Sequence, residues 1–340
     1  MARKIAGQQK VNKKAVVLLS GGLDSILAAK LMLELGIDIA CVTYIIEFAM
    51  CGGGLMAASS AAEALGVPLK AVDITAEYVD MLKKPEHGYG ANINPCIDCK
   101  ILMLKKAKAY MEETGASFLV TGEVLGERPM SQRRDALNII EKNAGVRGIL
   151  LRPLSAKLLP PTLPETEGIV DREKLLDIQG RGRKPQLELA KKFGIKEYPN
   201  PSGGCLLTDP GFTKRVKDLI IHEGLTVEGL RLLKIGRHFR FSKYVKLIVS
   251  RDGTENDALE PLIREGDVCF RLKDHGGPLA ILRGTSDEKI IMRAAEIMAR
   301  HTKYRSERSL DVLCWRPGSS DARVLVVKAA SMEEADKLRI

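Results

Sequence analysis

The chain has 340 residues, with 45% hydrophobic and 28% charged side chains, which suits a soluble protein of two ordinary domains. Its net charge of +10 is compatible with a polyanionic partner. No membrane span is expected, because the most apolar stretch, 39–62, is broken by Glu47 and three glycines at 52–54. The opening MARKIAGQQKVNKK lacks the apolar core of a secretory signal, and the seven cysteines are an odd number. A reducing cytoplasm without disulfides is the expectation.

In chain order, 15–19 (AVVLL) reads as a strand buried on both faces, and 24–35 as a helix stopped by Gly36. A second strand is expected over 38–46, a helix over 55–65 and a third strand over 69–74. A long helix over 95–114 and a fourth strand over 117–121 follow. This alternation indicates a doubly wound parallel α/β sheet, in which ligands bind beyond the carboxyl ends of the strands. The prolines at 153, 160, 161 and 164 make that segment extended, and GRGRK at 180–184 is a basic turn before a helix-like PQLELAKKF. The breaker-rich run 199–211 ends the first domain, 1–211, and 212–340 reads as a smaller α+β domain.

The junction Ser20-Gly21-Gly22-Leu23-Asp24-Ser25 turns a strand into a helix. Its glycines allow close approach, and the helix N-terminus offers unpaired N–H groups and partial positive charge to an anion such as phosphate. Asp24 is placed to cap the helix or hold a metal ion, and Ser25 to donate to phosphate oxygens. The string lacks the lysine of GxxxxGK[ST] and is not GxGxxG.

Cys96 and Cys99 form a CxxC that opens a helix, and Cys205 lies in SGGCLLTDP. Such a set is compatible with redox, zinc or iron–sulfur chemistry. Three thiolates fall one short of a closed zinc site, whereas a cubane cluster held by three leaves one iron open. Cys41, Cys269 and Cys314 read as structural, as does Cys51 beside the glycine triplet.

The SGGLDS string resembles the SGGxDS signature of the PP-loop ATP pyrophosphatases, which transfer AMP to a carbonyl oxygen and release pyrophosphate. The cysteines are similar to those of the tRNA-thiolating branch, the 4-thiouridine synthetases and 2-thiouridylases. An Asp stands in 2-thiouridylases where this chain has Cys96, and three cysteines look like the iron–sulfur-dependent thiolases. The resemblance spans about residues 14–211 and includes TGE at 121–123 and LLRPLS at 150–155. It implies ATP and Mg2+ at Ser20 to Ser25, Thr121 and Gly122 near the nucleotide, and Arg152 facing phosphate or substrate. It also implies Asp24, Cys99 and Cys205 as catalytic residues, and a 4Fe-4S cluster on Cys96, Cys99 and Cys205. A persulfide carried by one cysteine is the alternative chemistry. The sulfur source would be sulfide or a cysteine desulfurase. A ligase with structural zinc and a non-catalytic RNA-binding protein stay open beside this reading, as do monomer and homodimer.

In the second domain, the stretch 231–251 carries seven basic residues and no acidic one. From 238 onward apolar residues alternate with His238, Arg240, Ser242, Tyr244 and Lys246, the period of a half-buried strand. An exposed basic stripe holding Arg237, Arg240, Lys243 and Lys246 is therefore expected to contact tRNA phosphates.

Overall fold

The computed structural model describes residues 12–48, 54–198, 205–319 and 322–340. They form two compact units, one up to Leu206 and one from Leu207. The second begins ahead of Gly211 because Asp209 caps a helix over Pro210–His222, its carboxylate accepting from the Phe212 N–H at 2.6 Å.

The first unit runs β1 (Lys14–Leu18), α1 (Leu23–Glu34), β2 (Asp38–Ile45), α2 (Gly54–Leu65), β3 (Leu69–Asp73), α3 (Thr75–Lys83), α4 (Cys96–Glu113), β4 (Phe118–Thr121), α5 (Arg134–Ala144), β5 (Leu150–Leu151), α6 (Leu163–Thr166) and α7 (Lys184–Lys192). The strands pair in parallel in the order β3-β2-β1-β4-β5. Ala15, Val16 and Val17 of β1 are wholly buried, as expected of a strand with helices on both faces. Ala15, Val17 and Val120 share a core with Leu27 and Met32 of α1 and Ala190 of α7. α4 packs against β1, β4, α3 and α5. The parallel α/β sheet expected from the sequence is present. α3 and α5 are additions: Asp73 accepts from the Thr75 N–H at 2.8 Å and so nucleates α3. The order reverses between β1 and β4, and the crevice at that switch point is where such sheets bind ligands.

The second unit contains α8 (Pro210–His222), α9 (Val227–Leu232), β6 (Arg237–Arg240), β7 (Lys246–Val249), α10 (Gly253–Leu259), β8 (Val268–Leu272), β9 (Ala280–Arg283), α11 (Glu288–Arg300), β10 (Leu310–Trp315), β11 (Arg323–Val327) and α12 (Met332–Leu338). Its six strands form an antiparallel sheet in the order β11-β10-β8-β9-β7-β6. Ile291, Ala294 and Met298 of α11 pack on Phe239, Leu247 and Phe270. A separate cluster joins Leu232 and Leu259 to Ile248, Leu279 and Ile281. The side chains of β7 and β9 thus enter two different cores, Leu247 and Leu282 one and Ile248 and Ile281 the other.

That double coverage explains a departure from expectation. His238 and Lys246 are 1% and 3% exposed, so they do not line an open basic face. Arg240 is held by Asp218 and Glu223 at 2.5 and 2.8 Å, and Lys246 lies 3.6 Å from Glu223. Strand alternation reports that two faces differ. It does not reveal that α8, from a distant stretch, lays Asp218 and Glu223 over the second face. Arg237 is half-buried, with its guanidinium 3.4 Å from the Ser250 carbonyl, and Lys243 is exposed as expected.

His238 donates from Nε2 to the Ile235 carbonyl at 2.9 Å, and burial first, then Lys246 and Arg215, push its pKa far down. Burial similarly lowers His301 to about 4. Both imidazoles are neutral in the fold but protonate near pH 6.5 when unfolded, so the unfolded chain binds more protons below that pH. Stability of the second unit should therefore fall as pH drops from about 6.5, with His238 alone removing about 1.4 kcal/mol per pH unit. Urea unfolding followed by the fluorescence of Trp315 tests this between about pH 6.5 and 5, above most carboxylate titration. A flat stability across that window would contradict it.

Candidate active site

The Ser20–Ser25 loop is shaped by its own hydroxyls and by two close backbone approaches. Leu19 continues the register of β1 by donating to the Val42 carbonyl at 2.9 Å. Gly21 then takes φ +77°, and a Cβ there would sit 2.4 Å from the Ala57 carbonyl carbon. Ser25 donates to the Gly22 carbonyl at 2.8 Å and accepts from the Ser20 N–H at 3.2 Å. Ser25 is buried and braces the turn from within, while Ser20 faces outward. Gly22 is the N-cap of α1 and has no side chain to satisfy the first-turn N–H groups, which leaves them to an incoming anion.

Gly122, just beyond β4, fits against the start of α1. A Cβ at that position would lie 2.4 Å from the Asp24 carbonyl and 2.5 Å from the Ser25 nitrogen. Asp24 and Thr121 are thereby brought to one point at the switch crevice. Burial pushes the Asp24 carboxyl up, against the pull of Arg183 and Arg128. Its Oδ1 is buried without a hydrogen-bond partner.

Glu123 links this loop to the cysteines. It is 3% exposed, accepts from Thr121 at 3.3 Å and from Arg152 at 2.9 Å, and lies 3.4 Å from Lys100. Burial alone would raise its pKa, but Lys100 and Arg152 outweigh that and hold it below the usual range. Arg152, expected to face phosphate or substrate, is instead 3% exposed and clamped between Glu123 and Glu141. Its place one residue past β5 explains this: the side chain turns inward beneath β4 to neutralise Glu123.

Lys100 follows Cys99 in the first turns of α4. Cys96 opens the helix and accepts from the Asn94 amide at 3.3 Å. The Cys99 thiol lies close enough to Cys205 and Cys96 to feel their charge, and the buried Tyr78 hydroxyl of α3 lies beside it. Cys205, distant in sequence, is therefore brought near Cys96 and Cys99, and all three are free thiols. Burial pushes the Cys99 thiol up to about 12, with Lys100 pulling the other way. Cys41, Cys269 and Cys314 are buried in strands, and Cys51 lies outside the described residues.

Several site residues carried no signal that motif reading used. Tyr78 lies on a helix that was not expected, although the Asp-Ile-Thr run at 73–75 is a capping signature. Lys100 sits inside an amphipathic helix where a solvent lysine is the default. Arg183 belongs to the basic turn at 180–184, and Gln186 follows one helical turn later.

A parallel sheet with this order, with Ser-Gly-Gly-Leu-Asp-Ser following β1 at the switch point, fits a PP-loop α/β fold. Residues 10–157 match the family described as thiamine biosynthesis protein (ThiI), and residues 236–339 match the NFACT protein RNA binding domain. The chain is 26% identical over 213 residues to the tRNA-specific 2-thiouridylase MnmA of Xanthobacter autotrophicus, covering 58% of this chain and 51% of that one. It is 28% identical over 269 residues to the enzyme of the same name from Rippkaea orientalis, covering 73% and 71%. A crystal structure of a 4-thiouridine synthetase–RNA complex with bound ATP aligns at 23% identity and a TM-score of 0.35, over 54% and 51% of the two chains. By these matches the chain is similar to the tRNA-thiolating branch of the PP-loop superfamily. It spans about half the length or less of the first curated relatives it matches.

If Arg152 is a structural cation, removing it leaves the buried Glu123 carboxylate with only Lys100 and the Thr121 hydroxyl as partners. Arg152→Met should then cost about 3–5 kcal/mol of stability, read by urea unfolding. A variant as stable as the parent but unable to bind ATP would return Arg152 to the phosphate.

Proposed function

We propose that this chain is an ATP-dependent tRNA thiouridine synthase. The reading rests above all on one arrangement: the phosphate-binding turn and the three cysteines are joined through Glu123, which follows Gly122 and pairs with Lys100 beside Cys99. A uracil carbonyl oxygen is a poor leaving group. Its attack on the α-phosphorus of ATP releases pyrophosphate and leaves an adenylated oxygen. A sulfur nucleophile then adds to the same ring carbon, and the oxygen departs with AMP. Nucleotide and sulfur must therefore meet at one carbon.

The chain's own residues divide the work. First-turn N–H groups of α1 receive phosphate oxygens, and Ser25 keeps the turn in shape. The unpartnered Asp24 Oδ1 fits a divalent cation such as Mg2+, which when bound neutralises phosphate charge. Cys96, Cys99 and Cys205 supply a donor set of three thiols, which fits a 4Fe-4S cluster better than a closed zinc site. Such a cluster, when bound, would offer one iron without a protein ligand on which to present sulfur. A thiol pushed up to about 12 is a weak nucleophile as it stands, whereas ligation deprotonates a thiol outright. Lys100 and Glu123 keep the approach between the two sites charged and ordered.

The second unit, with its RNA-binding family match, would dock the tRNA. Its exposed hairpin turn pairs a cation with an aromatic: Lys243 lies 5.0 Å from the Tyr244 ring centroid, and Tyr244 is 68% exposed. That combination suits phosphate contact and base stacking. No described helix is long and apolar enough to cross a membrane. A dimer and the identity of the sulfur donor, sulfide or a desulfurase, belong to the same proposal.

The cysteines and Asp24 should separate cleanly. Anaerobic parent protein should be brown with about four irons per chain, and Cys99→Ala should lose them. Asp24→Ala should keep the iron and lose AMP formation. Cys205→Ala should make no thiouridine, as read by mass spectrometry of digested tRNA. Thiouridine formed by iron-free Cys205→Ala would sink this reading, and a colourless parent active aerobically with a persulfide donor would remove the cluster.

A further inference from the structure

Several arginines of the second unit are matched to carboxylates. Arg283 is held by both oxygens of Asp267, Arg240 by Asp218 and Glu223, and Arg264 by Glu228. Arg215 of α8 and Arg237 of β6 are not. Each is half-buried and reaches only a backbone carbonyl, that of Gly236 and of Ser250 respectively, at a long 3.4 Å. The Arg215 Nε is buried with no hydrogen-bond partner. Two guanidiniums have thus partly left water with no carboxylate in its place. That is costly unless a further anion completes the arrangement.

The fold brings two more arginines to the same place. Gly236 takes φ +73°, and a Cβ there would lie 2.5 Å from the Val249 carbonyl oxygen. The start of β6 therefore presses on the end of β7, with Arg237 opposite Val249 and beside Ser250 and Arg251. On the other side of β6, Phe239 bridges Arg339, and the Ile340 N–H donates to the His238 carbonyl at 3.1 Å. Lys214 of α8 donates to the Arg339 carbonyl at 2.8 Å, which ties the segment past α12 to α8 as well. Burial first, and then the charges of Arg251 and Arg339, push Arg215 and Arg237 below the usual arginine range. The nearby carboxylates are engaged. Glu255 holds the Arg251 guanidinium and the N–H groups of Arg251 and Gly236, Asp209 caps α8, and Asp336 stands 3.7 Å from Arg339. Arg251 and Arg339 are exposed, so two guanidiniums of the cluster are half-buried and two face solvent.

We propose that Arg215, Arg237, Arg251 and Arg339 form a phosphate site that seats one phosphodiester of the bound RNA. This rests on the RNA docking proposed above and gives it a location that the exposed hairpin turn does not supply. A guanidinium keeps its charge when half-buried, and its fork matches phosphate oxygens in pairs. Forks arriving from four separate segments suit the several oxygens of a tetrahedral anion better than a planar carboxylate. The two exposed arginines leave the site open to a polymer that continues on either side. Such a contact fixes the position of the RNA and reads no bases.

Equilibrium binding of tRNA to the full chain, repeated across KCl concentrations, tests the site in the parent, Arg237→Gln, Arg339→Gln and Arg339→Lys. Each Gln variant should weaken binding roughly tenfold and lower the slope of log affinity against log salt by about one. Arg339→Lys should fall between, since lysine keeps the charge and loses the fork. Thermal melting shows which variants are folded, and the exposed Arg339 keeps the test decisive if Arg237→Gln is not. At equal ionic strength, inorganic phosphate should displace tRNA from the parent more than chloride does, and that difference should shrink in Arg339→Gln. Folded variants with the parent's affinity and slope overturn the site while the RNA docking stands. Inorganic phosphate that raises the parent's melting temperature, with tRNA affinity equal in parent and variants, also overturns it and marks a place for a small phosphate. A parent without measurable affinity for tRNA removes the RNA docking itself, and this site with it.

Discussion

The first unit depends on one close approach, that of β4's end to α1's first turn. With a glycine at 122, the backbone of β4 lies where a Cβ would collide with the Asp24 carbonyl at 2.4 Å. Any side chain there must push α1 off the sheet or open the crevice between β1 and β4. Because it does neither, Asp24, Thr121 and Glu123 fall within one small volume. The turns at 126 and 180 stack on one another, the Gly180 N–H donating to the Leu125 carbonyl at 2.7 Å.

Charge is handled differently in the two units. In the first, buried ions form a chain: Lys100 and Arg152 flank Glu123, and Arg152 reaches on to Glu141. Buried pairs of this kind seldom add much stability beyond what apolar residues of the same volume would give. Their value is in fixing position, here of α4 and its cysteines relative to the strand ends. In the second unit, Asp218 and Glu223 neutralise Arg240 and Lys246, so much of the basic hairpin is internal structure. On the proposed reading, nucleic-acid contact would fall to what remains outside, such as Lys243 and Tyr244.

Much of the first unit was legible because strand and helix alternate there with clear stops, and the Ser-Gly-Gly-Leu-Asp-Ser turn has a single physical purpose. The three cysteines were legible as residue types, but their meeting depends on a fold that joins positions 96–99 to 205. Tyr78 and Gln186 could not be singled out, because a tyrosine or glutamine on a helix gives no local sign of what it faces. The burial of Arg152 and Lys246 was not legible for one shared reason. A cation in a basic or phosphate-linked motif looks solvent-facing until its distant carboxylate is known, and Glu123, Glu141 and Glu223 are set by tertiary packing alone.

The central claim is that ATP activates a uridine carbonyl so that its oxygen leaves with AMP as sulfur arrives. The fate of that oxygen tests it most directly. Substrate tRNA carrying 18O at the target uridine carbonyl would be incubated anaerobically with the protein, ATP, Mg2+ and sulfide, and the AMP isolated for mass spectrometry. The account predicts one 18O in the AMP phosphate for each thiouridine formed. Thiouridine accompanied by unlabelled AMP, with the 18O in pyrophosphate or water, would contradict it.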